Sequence, residues 1–286
     1  MRYETPATIE AAVGLIAAET GIARVLSGGT DLLVQLKAGM IEPDLVVDLK
    51  RIAATREITA EAGGFRIGSA VSAASLREHK ALRAAWPGII EGLKLIGSTQ
   101  VQGRATLTGN LCNASPAADS VPCLVAAGAS ARIVGPSGKR DIPVQDVPAG
   151  PGRTNLAKGE LVESIFIPAA AAHTGSCYLR FTPRTEMDIA VVSAGVSVTL
   201  DASGTCTAAC IVLGAVAARV TIAEEAAKAI IGTKVDEAAL AKMQAAASAA
   251  ATPIDDKRGT KEFRIEVAGV LARRAVEKAL ERARGK

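Results

Sequence analysis

The sequence predicts an α+β fold in which two small α/β subdomains precede a C-terminal domain made of a short antiparallel sheet with helices. Three observations predict it. Short apolar runs alternate with capped helical stretches as far as about residue 172. Two apolar runs, 190–200 and 207–213, then face each other across the turn Asp201-Ala202-Ser203-Gly204. The remainder is alanine-rich and reads as helix. The changes of character divide the chain into units 1–58, 59–172 and 173–286.

In the first unit, Thr8 is placed to cap a helix running to about residue 19, and Gly21 stops it. A short strand is expected over 22–26. Thr30 or Asp31 opens a helix through Lys37 that Gly39 closes, and Pro43 precedes a buried-sheet pattern over 44–49. In the second unit, Gly64-Phe65-Arg66-Ile67-Gly68 reads as a strand, Ser72 leads a helix over 75–80, and Pro87 opens a run carrying Ile89, Ile90, Leu93, Leu95 and Ile96. A helix-like stretch after Pro122, a strand over 131–134 and the hairpin turn Pro136-Ser137-Gly138-Lys139 follow. Residues 148–154 form a loop rich in proline and glycine, and 161–167 returns as a strand. In the third unit, Thr221-Ile222-Ala223-Glu224 has the spacing of a capping box. A last helix over 262–284 places Phe263, Val267, Val270 and Leu271 on one face, with Arg273 and Arg274 on a solvated one.

Composition excludes several classes of function. The 286 residues are 49% hydrophobic and 22% charged with a net charge of +4, the profile of an ordinary soluble protein, and aromatics are only 2%. Neither a basic patch nor a base-stacking surface for nucleic acid is indicated. No stretch has the length and apolarity of a membrane span, and Met1-Arg2-Tyr3-Glu4-Thr5-Pro6 lacks the apolar core of a signal peptide, so a cytoplasmic protein is expected. The five cysteines, Cys112, Cys123, Cys177, Cys206 and Cys210, form no C-x-x-C pair, and the histidines are His79 and His173 alone. They read as core residues, with no metal site.

Two glycine-centred segments carry the chemical signal. They are Val25-Leu26-Ser27-Gly28-Gly29-Thr30-Asp31-Leu32-Leu33 and Ala105-Thr106-Leu107-Thr108-Gly109-Asn110-Leu111-Cys112-Asn113-Ala114-Ser115-Pro116. Each puts small residues and hydroxyls where an apolar run stops, the setting in which free backbone N–H groups hold a phosphate. Two of them in one chain suggest a diphosphate gripped from both sides. Neither is a G-x-G-x-x-G fingerprint or a P-loop, and alone each fits a plain tight turn. Asp119 suits a ribose hydroxyl or, better on pattern, the cap of the next helix. Arg180 and Arg184, flanking Phe181-Thr182-Pro183 before Glu186 and Asp188, suit an anion or, better on pattern, a charged surface loop. No Ser–His–Asp or Cys–His set emerges, and no catalytic residue is assigned.

In combination these segments resemble the FAD-binding medium subunits of the molybdenum hydroxylases, the family of bacterial carbon monoxide, xanthine and nicotinate dehydrogenases. The resemblance spans essentially the whole chain. The family's A-G-G-x-(S/D)-L stands here as Ser27-Gly28-Gly29-Thr30-Asp31-Leu32, and its T-I-G-G-N as Thr106-Leu107-Thr108-Gly109-Asn110. Its A-x-P-x-x-D-x-x-P runs from Ala114 through Pro116 and Asp119 to Pro122. Gly159-Glu160-Leu161-Val162 matches its G-E-L-L strand. Tyr178-Leu179-Arg180 with Arg184 and Asp188-Ile189-Ala190 is similar to Y-x-K-x-x-x-R-x-x-x-D-x-A, and Gly259-Thr260-Lys261-Glu262-Phe263-Arg264 with Arg273-Arg274-Ala275 resembles the C-terminal signature.

The resemblance implies a PCMH-type FAD-binding unit in the first two subdomains, with FAD between them. By position it places Leu26, Ser27, Gly28, Gly29, Thr30, Asp31, Leu32, Thr106, Thr108, Gly109 and Asn110 around the diphosphate, Asp119 near the adenosine portion, and Ile96, Val162 and Arg180 along the flavin pocket. Thr108 replaces the first glycine of T-I-G-G-N, and Arg180 replaces a common lysine. It further implies a large subunit with the molybdenum cofactor, a small subunit with 2Fe–2S clusters, and a dimer of heterotrimers. FAD in this chain would accept electrons from the iron–sulfur partner and pass them to NAD, oxygen or a quinone-side acceptor. A stand-alone FAD-dependent alcohol oxidase and a flavin-free scaffold subunit are the competing readings.

Overall fold

Strand β3 organises the N-terminal part of the computed structural model, which describes residues 1–185 and 187–285. The elements here are β1 (Arg2–Glu4), α1 (Ile9–Ala18), β2 (Ala23–Leu26), α2 (Leu32–Lys37) and β3 (Leu45–Asp48). β3 lies between β1 and β2 and runs parallel to both, so each link must cross over, and α1 and α2 make those crossings. Every β3 residue is buried, as expected of a central parallel strand covered on both faces. Thr8 caps α1, whose Ile9, Ala12, Val13 and Ile16 cover one side. Val134 and Leu161 from the next sheet join the same cluster. At the end of β3, Asp48 accepts hydrogen bonds from the Lys50 amide and the Tyr3 hydroxyl and pairs with the Lys50 ammonium.

The second part begins with β4 (Ile58–Glu61) and β5 (Gly64–Gly68). Six short helices follow: α3 (Ala73–Glu78), α4 (Lys80–Ala85), α5 (Pro87–Leu95), α6 (Thr99–Gln102), α7 (Leu107–Cys112) and α8 (Val121–Ala126). The chain then returns through β6 (Ser130–Gly135), β7 (Gly138–Pro143), the small pair β8 (Pro148–Gly150) and β9 (Arg153–Thr154), and β10 (Leu161–Ile167). Strands β4, β5, β10, β6 and β7 form an antiparallel sheet in that order. Its inner face, with Ile67, Ile133 and Ile165, shares one cluster with Leu76, Leu93, Leu111 and Leu124 of the helices.

The C-terminal part holds β11 (Thr174–Phe181), β12 (Val192–Leu200), β13 (Cys206–Gly214) and β14 (Thr221–Ile222), an antiparallel sheet in chain order. Helices α9 (Glu224–Ile230), α10 (Glu237–Ala250) and α11 (Lys261–Ala283) complete it. Thr221 and Ile222 do not cap a helix. Their backbone pairs with Leu213 and Val212, and α9 starts after Ala223 without a side-chain cap. The buried face of α11 only partly matches the one expected: Leu271 is buried and Val267 packs against the same core, but much of the face is Ala268, Ala272, Ala275, Ala279 and Ala283, whereas Phe263 is 40% exposed and packs edge-on against Phe181. The reason is how closely the helix approaches the sheet. A Cβ on Gly175 of β11 would fall 1.9 Å from the carbonyl oxygen of Ala279. Among the described residues no helix is long and apolar enough to cross a membrane.

Buried charges tie these parts together through β11. The Tyr178 hydroxyl and Arg180 Nη1 each donate to the Asp119 carboxylate at 2.8 Å, and Arg180 also donates to the carbonyl of Leu95 at 2.9 Å. Next to this, Glu91 of α5 accepts the Tyr178 amide at 2.9 Å and Arg282 Nη2 of α11 at 2.6 Å. Burial pushes the Asp119 carboxyl up to about 6, with Arg180 and the tyrosine hydroxyl pulling the other way. Asp119 therefore does not cap α8, which starts after Ser120.

Two outcomes are expected. Gly175→Ala forces α11 off the sheet and lowers stability by about 1–3 kcal/mol, read as a lower urea midpoint. For Asp119, the folded chain keeps between about pH 4 and 6 a proton that the unfolded chain has lost. Its contribution to stability therefore falls as pH rises through that window. Relative to Asp119→Asn, the wild type should lose about 2–3 kcal/mol between pH 4 and 7. A difference that stays flat over this range means that the pair is ionised throughout.

Candidate functional site

The two glycine-centred segments meet. The first leaves β2 at Leu26 and turns through Ser27 to Thr30 into α2, held by the Lys50 ammonium donating to the carbonyl of Ser27 at 3.2 Å. Gly28 lies directly on the backbone leading into the second segment, where an added Cβ would stand 2.0 Å from the carbonyl oxygen of Arg104. Gly29 has φ +84°, which lets the chain turn away from that contact.

The second segment is the start of a helix rather than a loop. Thr106 caps α7, its Oγ1 accepting from the amide of Gly109 at 2.9 Å, and the first amides of the helix have no acceptor within it. Thr108 sits in this first turn, outside the left-handed region, so a side chain is accommodated where the family pattern has glycine. Asn110 Oδ1 accepts both the amide and the hydroxyl of Ser120, which fixes α7 against the start of α8. Across the gap, Asn113 Nδ2 donates to Asp31 Oδ1 at 3.2 Å. Burial raises the Asp31 carboxyl above its ordinary value.

Between the segments runs an open cleft of about 700 Å³. Leu26 to Leu32, Thr106, Thr108, Gly109 and Asn110 all line it, as do Ile96 and Val162. Ile96 is held there by Gln102, a 2% exposed side chain that donates to the carbonyls of Lys94 and Ile96. Val162 lies on β10 beside an irregularity in its pairing with β6. Asp119 and Arg180 are not part of the lining; they form the buried pair behind Leu95 described above. Arg180 is thus not on a charged surface loop, whereas Arg184 is exposed and pairs with Asp188. Glu186, grouped with them in the sequence, lies outside the described residues.

Sequence reasoning missed several lining residues. Arg24 contributes from β2, Gln35, Met40 and Ile41 from α2 and the turn after it, and Gly152 and Arg153 from β8–β9. Arg24 and Ile41 carried no motif, and the proline- and glycine-rich stretch read simply as a loop. Cys112 also lines the cleft, and burial pushes its thiol up to about 12. Among the described residues no three His, Cys, Asp or Glu side chains cluster closely enough to hold a metal ion. The geometry suits an elongated ligand with an anionic centre.

Comparison with known proteins agrees. Residues 1–170 match the family described as the FAD binding domain in molybdopterin dehydrogenase, and residues 178–279 match the CO dehydrogenase flavoprotein C-terminal domain. The chain is 35% identical over 282 residues to the carbon monoxide dehydrogenase medium chain of Afipia carboxidovorans, covering 99% of this chain and 97% of that one. It is 28% identical over 286 residues to the xanthine dehydrogenase FAD-binding subunit of Escherichia coli O157:H7, with the same coverage. Its structure superposes on a chain of the Cu,Mo-CO dehydrogenase with a TM-score of 0.93 at 35% identity, covering 99% of this chain and 98% of that one. On a chain of quinoline 2-oxidoreductase from Pseudomonas putida 86 the TM-score is 0.91 at 27% identity, with the same coverage. Motif order, domain content and fold converge, and this chain belongs to the FAD-binding medium subunits of the molybdenum hydroxylases.

Proposed function

We propose that this chain is the electron-transfer flavoprotein of a three-subunit molybdenum hydroxylase and holds FAD in the cleft between its two glycine-centred segments. One observation carries the reading: segments some eighty residues apart in sequence become walls of one cleft, brought together where Gly28 rests on the backbone of Arg104 and Ala105. When bound, FAD supplies a centre that accepts electrons singly from the iron–sulfur clusters of a small partner subunit and delivers them to NAD, oxygen or a quinone-side acceptor.

The protein's part is to bind and orient. Ser27 to Asp31 and the first turn of α7 present backbone amides and hydroxyls to the diphosphate, with the Thr108 hydroxyl, which has no hydrogen-bond partner among the described residues, available to it. Ile96 and Val162 offer apolar contact along the flavin pocket. Asp119 and Arg180 act from behind the wall: by holding the carbonyl of Leu95 they position Ile96. Neither histidine lines the cleft; the His79 ring accepts the amide of Leu82 and packs on Phe65, which disfavours a histidine-linked oxidase. The reading includes units 1–58, 59–172 and 173–286, each with its own sheet, a large molybdenum-cofactor subunit, a dimer of heterotrimers, and a place in the cytoplasm.

The complex purified from its host should show flavin absorption bands, with molybdenum and iron in the associated subunits. A colourless chain, or a yellow one that oxidises an alcohol without partners, overturns the proposal. Gly28→Ala should prise the cleft walls apart and weaken FAD binding about tenfold or more, seen as a lower ratio of flavin to protein absorbance. Gly14→Ala, whose new methyl meets open space on α1, should leave that ratio unchanged.

A further inference from the structure

The stretch 148–154 has no role in the two-segment reading, yet it forms a wall of the same cleft. β8 and β9 make a tight hairpin around Pro151-Gly152, with Gly152 at φ +69° in the position that a type II turn reserves for glycine. The hairpin is fastened at three places. The Gly152 amide donates to the carbonyl of Ala114 just beyond α7, Asn155 bonds the carbonyls of Val147 and Asp146, and Arg219 from the C-terminal part donates to the carbonyl of Pro148. It is a braced arm.

Arg153 stands on this arm. Four charged side chains line the cleft: Arg24, Asp31, Arg153 and Glu160. Glu160 is already committed to Arg140 and the amide of Ala157. Asp31 accepts a hydrogen bond from Asn113 but has no cation partner among the described residues. Arg24 donates to the carbonyl of Ala23, and the guanidinium of Arg153 makes no hydrogen bond or ion pair among the described residues. Its guanidinium lies beside Gly150, where an added Cβ would come 3.4 Å from Nη2, so the glycine leaves it room. The cleft therefore presents more uncommitted positive than negative charge, and the cation on the braced arm is the one least occupied elsewhere.

We infer that the β8–β9 hairpin is a third binding element of the cleft and that Arg153 pairs with the diphosphate of the dinucleotide held there. This rests on the reading of the cleft as the FAD site. A planar guanidinium meets phosphoryl oxygens with two parallel N–H donors, which an ammonium cannot reproduce.

The test uses the purified complex, stripped of flavin and titrated with FAD by fluorescence quenching. Arg153→Gln should raise the Kd about tenfold or more, and Arg153→Lys should recover part of the loss. ADP should compete less well against the glutamine variant than against the wild type, whereas adenosine, which lacks phosphate, should compete equally well against both. A Kd for Arg153→Gln within about twofold of the wild type overturns the inference and leaves the FAD reading intact. Equal loss of ADP and adenosine competition overturns it as well, by assigning Arg153 to the base. A wild-type complex that takes up no FAD overturns both.

Discussion

The structure turns on a contact in which there is no room for a side chain. Gly28 rests on the backbone at Arg104 and Ala105, and that close approach holds the N-terminal α/β unit at the mouth of α7. The cleft is the space left beside this contact. Its position follows from two local facts: β2 ends at Leu26, and Thr106 caps α7. A methyl group at Gly28 would have to displace backbone, which cannot relax as a side chain does. The whole geometry of the cleft therefore depends on one missing Cβ.

Behind the cleft, the C-terminal part is joined through charges rather than through apolar surface alone. Tyr178 and Arg180 extend from β11 to Asp119, and Glu91 of α5 meets Arg282 near the end of α11. Such buried pairs add little net stability, because desolvating the charges offsets most of their attraction. Their value lies in geometry: hydrogen bonds with fixed directions allow one docking of α11 and β11 against α5, where packed alanines alone would allow sliding. Since Arg180 also holds the carbonyl of Leu95, the same ties fix the turn that carries Ile96 to the cleft wall.

What the cleft can hold follows from the residues that line it. The histidines lie elsewhere, and the cleft offers backbone amides, hydroxyls, Arg24 and Arg153, beside the carboxylate of Asp31. That set can hold and orient an anionic dinucleotide.

Much of this was legible in the sequence. Thr8, Ser72 and the turn around Gly138 mark their elements through local hydrogen bonding and backbone preference, which neighbouring residues decide. The glycine segments were legible for the same reason, and their order along the chain identified the family. Where the backbone was claimed by a distant partner, local reading failed: Thr221 looks like a cap but pairs with β13, and Phe263 looks like core but lies outside an alanine-faced helix. Asp119 and Arg180 each have a plausible local role, as cap and as surface charge, and only the fold brings them together across sixty residues into one buried pair. Arg153 is invisible as a cleft residue until the hairpin is seen beside α7. By itself, the sequence determined the fold class, the family and the two segments that line the cleft, because short-range chemistry specifies them. The tertiary structure alone decided which charges are buried, which helix face is core and what forms the cleft's third wall, because those depend on contacts between residues far apart in the chain.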